Sequence, residues 1–169
     1  MNRDLPIFLY ARLLLLVLAQ AMVFSKLSIF GTITPMIYVI FLFTYPTHQN
    51  RSIFLSVSFL MGLFLDLLLD SMALHSICLL SMAYVRPKIM RFTFGLNFEL
   101  QSFRIHKAPL QQRYTFLIIS ILIHHFLYFS LEIFSLSLAG LVIKKTLLTS
   151  LASFVLSLLI LALFSPKKS

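Results

Sequence analysis

Charge is what this chain has least of. Only 11% of its 169 residues are charged, against about 25% in a soluble domain. With 60% hydrophobic residues and a mean hydropathy of +0.98, there is too little charge to coat a water-facing surface, which excludes a soluble globular enzyme. Cysteine is nearly absent as well. The single Cys78 lies in an apolar run, which excludes a disulfide framework. Tryptophan is missing altogether, so tyrosine and phenylalanine must supply any interfacial aromatic belt. Only four glycines occur, and none forms a phosphate-cradling loop.

What is present is a series of apolar stretches. They cover residues 5–24, 27–45, 53–69, 72–85, 114–131 and 146–164. A membrane-crossing helix needs roughly 20 residues, so about six spans use nearly the whole chain. The fold class expected is an all-α integral membrane protein, one polytopic bundle of about six transmembrane helices over residues 1–169. The first stretch, with Arg3 before a leucine run and Ala19-Gln20-Ala21 after it, shares features with a signal peptide. The spans that follow at once favour an uncleaved first helix. Residues 133–143 are too short to cross alone and are expected to extend the fifth helix, lie in the interface or dip back.

Orientation follows from the basic residues. With six spans and both termini cytoplasmic, Arg3, Arg12, Arg51, Arg86, Lys88, Arg91, Arg104, Lys107, Arg113, Lys167 and Lys168 lie inside. Lys26, Lys144 and Lys145 lie outside, a bias of eleven to three that obeys the positive-inside rule. The same bias supports the short fourth stretch as a crossing segment. Residues 86–113 form the one long connection, a basic cytoplasmic loop interleaved with aromatics. Because it is tethered to the bilayer at both ends, its Arg86, Lys88, Arg91, Arg104, Lys107 and Arg113 are expected to meet anionic lipid or a cytoplasmic protein, not nucleic acid.

Polar groups at membrane depth each need a reason. Gly62, Asp66 and Asp70 recur every four residues and share a helix face. They are read either as a proton or cation relay, or as a close helix contact with Asp66 accepting hydrogen bonds from a neighbour and Asp70 capping. His75 is expected to pair with Asp70. His124, Tyr128 and Glu132 form a polar stripe on the fifth span, and His125, about 100° away, needs a different partner. The histidines lack the spacing of a helical zinc site, so a buried network is expected in place of a metal. No nucleophile–base set is apparent. Neither enzymatic activity nor a cofactor is expected.

Several of these residues together resemble a known family. Phe30-Gly31 with Pro35 and Tyr38, Gly62 through Asp66 to Asp70 with Leu74-His75, Ala83-Tyr84-Val85-Arg86-Pro87, and His124-His125 with Glu132-Ile133-Phe134 occur in an order and spacing similar to the rod shape-determining protein MreD family, in its Bacteroidetes-type members. The resemblance covers nearly the whole chain, with a departure at Met72-Ala73, where such proteins often carry glycine. It implies a non-enzymatic inner-membrane subunit of the cell-elongation machinery that regulates shape and peptidoglycan synthesis through protein contacts. The implied partners are MreC and, more distantly, MreB, RodA and its penicillin-binding transpeptidase. The family is similar in architecture to the substrate-binding subunits of energy-coupling-factor transporters. The alternative function is accordingly a small-molecule-binding subunit of a membrane transporter, with Asp66, His75, His124 and Glu132 around an outward cavity.

Overall fold

A computed structural model describes residues 4–29, 31–47, 49–99 and 103–163. Arg3, Phe30, Lys167 and Lys168 lie outside the described residues. Among the described residues six α-helices follow one another: α1 (Asp4–Met22), α2 (Ile40–Thr44), α3 (Arg51–Leu69), α4 (Leu74–Phe94), α5 (Leu110–Ile133) and α6 (Ala139–Leu163). Short 3-10 turns precede α2 (Ile37–Val39) and α6 (Leu136–Leu138) and occupy the α4–α5 connection.

The helix ends follow from local chemistry. Asn50 caps α3, its side chain accepting from the Ser52 N–H at 2.9 Å. Asp70 ends α3 and Phe134 ends α5, each in the left-handed region with its N–H returned to the helix. The α3–α4 turn carries further positive φ values at Met72 (47°) and Ala73 (65°). A side chain in this conformation costs roughly 1–2 kcal/mol per residue.

α4 packs between α3 and α5, α6 packs on α5, and α1 covers α3. The 36–45 segment lies inside this ring: Met36 through Phe43, and Tyr45, are all buried. The outward faces are apolar, as at Leu14 and Leu15 of α1, Phe64 and Leu67 of α3, Phe126 of α5 and Leu151 of α6. Exposed apolar surface on several helices suits a lipid surround and not water.

Among the described residues, three helices are long and apolar enough to cross a membrane: Arg51–Leu69, Leu110–Ile133, and Leu136–Leu163, which joins α6 to the turn before it. Six such helices were expected, and the differences have physical causes. The second stretch is irregular until Ile37, so its helical part, Ile37–Thr44, is about 12 Å long. α4 holds Arg86, Lys88 and Arg91 within the helix, which lowers its apolarity. The α1 helix is continuous from Asp4 to Met22. The expected 86–113 loop is also shorter, because α4 runs on to Phe94 and α5 starts at Leu110. Within 133–143, α5 stops at Ile133 and α6 begins at Ala139.

Candidate functional site

At one end of the bundle, α3 turns into α4 beneath the carboxylate of Asp66. Oδ1 accepts from Ser71 Oγ (2.7 Å) and the His75 N–H (2.9 Å). Oδ2 accepts from the Ser76 N–H (2.8 Å) and, in a short bond, from Ser76 Oγ. His75 and Ser76 are the second and third residues of α4, whose N–H groups have no partner within their own helix. Ala73, the cap residue, cannot supply one, so Asp66 caps α4 from the neighbouring helix. Gly62 lets the two helices approach that closely. A Cβ on it would lie 2.4 Å from Ser76 Cα and 2.7 Å from the His75 carbonyl oxygen.

Asp70 is exposed and does not meet His75, contrary to the expected pairing. Its left-handed conformation ends α3 and turns its side chain out of the helix register that Gly62 and Asp66 share. The acid that holds His75 is Asp66, through the backbone.

The His75 ring points to Tyr38 instead. The Tyr38 hydroxyl lies 2.8 Å from His75 Nδ1 and 3.1 Å from His124 Nε2, at the centre of the core. The same hydroxyl lies 3.6 Å from Met36 Sδ; with one proton it donates to one imidazole and accepts from the other, or donates to that sulfur and accepts from both. Every such proton arrangement leaves His124 Nδ1 without a partner, although that nitrogen is fully buried. Tyr128 stacks on the His75 ring at 5.1 Å.

His125 belongs to a second chain of bonds. Its Nδ1 lies 2.8 Å from the Ile121 carbonyl and therefore carries the proton. Its Nε2 then accepts from Ser153 Oγ (3.1 Å), which in turn accepts from the Met36 N–H (2.9 Å). Gln20 continues the fastening of the irregular segment: Nε2 donates to the Pro35 carbonyl (3.1 Å) and Oε1 accepts from the Ile37 N–H (2.8 Å). The start of the 37–44 helical stretch is thus held by α1 and α6.

Its other end is held by Arg86. Nε donates to the Leu42 carbonyl (2.8 Å), Nη2 to that of Tyr45 (2.7 Å), and the guanidinium lies 4.9 Å from the Phe54 ring centre. Arg86 is only 5% exposed, so it is removed from the expected set of lipid or partner contacts. Its position on α4, facing the C-terminal carbonyls of α2, explains the burial. Lys88, Arg91, Arg104 and Lys107 are exposed, and Arg113 is half-buried with its guanidinium 5.9 Å from Phe43. His106, in the same connection, is held below the ordinary histidine range by partial burial and then by Lys107, Arg113 and Arg104.

At the end opposite this basic connection, a cavity of about 280 Å³ opens between the ends of α1, α3, α4, α5 and α6. His75 and Tyr128 line it, with Glu132 of α5 and Lys145 of α6 ion-paired at 3.1 Å. Asp66 and His124 are not among its lining residues, so the expected quartet is divided.

Tyr38, Gln20 and Ser153 were not singled out as site residues by sequence reasoning. The one sequence signal for the last is a stripe of small polar residues on α6, Thr146, Thr149, Ser150, Ser153 and Ser157, at helical spacing and all buried. Among the described residues, no cluster of three metal-ligating side chains forms. No family model, no curated protein and no solved structure matches the chain.

Proposed function

We propose that this chain is a non-enzymatic subunit of the bacterial cell-elongation machinery in the inner membrane, acting through contacts with an MreC-like partner and, through it, with MreB, RodA and its transpeptidase. The family resemblance motivates the reading. The observation that best supports it is the internal use of three buried polar groups, Asp66, His125 and Arg86. Both Asp66 oxygens are occupied, both His125 nitrogens are bonded, and Arg86 serves two carbonyls. These groups fasten helices to one another, and the wide apolar faces of α3, α5 and α6 remain available to lipid and partner helices.

The proposed topology has six crossing segments with both termini cytoplasmic. The irregular-plus-helical 27–45 segment is enclosed by the others. Arg51, Lys88, Arg91, Arg104, Lys107 and Arg113 gather at the cytoplasmic end near anionic lipid headgroups, and Lys26, Lys144 and Lys145 at the other.

Native mass spectrometry of the chain gently extracted from its own membrane tests the assembly reading. A larger membrane protein is expected to travel with the 19.4 kDa chain, and to be lost in Asp66→Ala and His125→Ala. Recovery of the chain alone, or full partner recovery with both variants, counts against it. The cavity beside Glu132 and Lys145 favours a second reading, a small-molecule-binding subunit.

A further inference from the structure

The cavity has chemistry of its own. Its volume, about 280 Å³, lies at the small end of ligand sites, which run to roughly 1,000 Å³ for drug-sized molecules. It fits a molecule on the scale of one amino acid. Its lining contains one carboxylate and one ammonium, Glu132 and Lys145, ion-paired at 3.1 Å. A ligand with one charge would be drawn to one of these and repelled by the other. A ligand carrying both charges can enter between them, give each an opposite partner and leave the local charge unchanged.

His75 also lines the cavity and is 3% exposed, and its Nε2 has no hydrogen bond among the described residues. The Tyr128 hydroxyl likewise has no hydrogen bond among the described residues and lines the same space. Because the Tyr38 proton can sit toward His75 or toward His124, His75 Nε2 offers an N–H in one arrangement and a lone pair in the other. The site can therefore meet a hydroxyl or an amide of a ligand. Phe129, with Lys145 Nζ 5.3 Å from its ring centre, supplies an apolar wall and holds the ammonium in place.

The geometry points to a binding site for a small zwitterion: an amino acid with a neutral, hydrogen-bonding side chain, its ammonium at Glu132, its carboxylate at Lys145 and its side chain toward His75 and Tyr128. This assignment rests on the small-molecule reading of the cavity and is independent of the assembly reading.

The test is calorimetric titration of the purified full chain in detergent with L-serine and L-glutamine, against acetate, methylamine and glucose. Saturable binding of at least one of the two amino acids is expected, with acetate and methylamine each at least about tenfold weaker. Glu132→Gln and Lys145→Gln are each expected to weaken amino-acid binding about tenfold or more, with Lys144→Gln unchanged. The exchange Glu132→Lys with Lys145→Glu keeps the ion pair for folding and is expected to restore part of the affinity. Unaltered affinity in Lys145→Gln overturns the zwitterion assignment. Binding of glucose but neither amino acid overturns it as well, while leaving a small-molecule role standing. No heat with any probe, from a chain that still unfolds cooperatively, overturns both.

Discussion

Asp66 and Ala73 act on opposite sides of one turn. Removing the Asp66 carboxylate leaves the His75 and Ser76 N–H groups without acceptors in a buried place. Each such group costs about 1–3 kcal/mol, so Asp66→Ala is expected to lower the thermal midpoint in detergent sharply, with Asp70→Asn, on an exposed residue whose left-handed conformation asparagine also adopts, changing it little. Equal shifts would remove Asp66 from its capping role. Ala73→Gly is expected to raise stability by about 1 kcal/mol, because glycine occupies positive φ without the side-chain clash. Gly62→Ala is expected to cost about 1–3 kcal/mol or more, since the new methyl meets backbone and not a flexible side chain. In the α4–α5 connection, a His106 titration followed by NMR should fall below the ordinary histidine value and move up in Lys107→Gln. Its depressed pKa means that acidification through the ordinary histidine range disfavours the folded connection, and more alkaline pH removes that penalty. A His106 titration unaffected by Lys107→Gln would remove Lys107 as a cause and leave burial with Arg113 and Arg104.

At the scale of elements, α2 is the dependent one. A helix this short has little stability of its own in water or lipid. Its ends are fixed by Gln20 and Ser153 on one side and by Arg86 on the other. Arg86→Met is expected to release the Leu42 and Tyr45 carbonyls and to speed amide exchange at Ile40–Thr44 well before α3 or α5 is affected. Arg86→Lys should not rescue it, because a single ammonium does not reproduce the two-pronged guanidinium contact. Unchanged exchange in Arg86→Met would show that apolar packing alone holds the segment. The amphipathic spacing that makes Gly62 and Asp66 neighbours was readable along the chain, as was the need of His125 for a partner distinct from that of His124. The interruption before Ile37 was missed although Gly31, Thr32, Thr34 and Pro35 mark it, because a hydropathy reading averages over such breakers and does not register backbone irregularity that other helices satisfy.

For the whole molecule, the sorting of charge is the governing feature. With Cys78 replaced by serine, cysteines introduced at Lys107 and at Lys144 are expected to react with a membrane-impermeant thiol reagent from opposite sides, Lys107 from the cytoplasm. Labelling of both from one side would overturn the proposed topology.

Composition and periodicity by themselves determined that the chain is helical, apolar outside and basic at one end, because those properties are sums over near neighbours on a strand of sequence. They also marked Asp66, His75, His124, His125 and Glu132 as groups in need of partners. Which partners they take was decided only by tertiary structure. Tyr38 meets His124 across 86 positions of chain, and Met36 meets Ser153 across 117. Glu132 and Lys145 come together only because α5 and α6 fold back on one another. No local pattern encodes such distances. The first two arise from the packing of the 36–45 segment inside the ring of longer helices, which brings a tyrosine hydroxyl between two imidazoles.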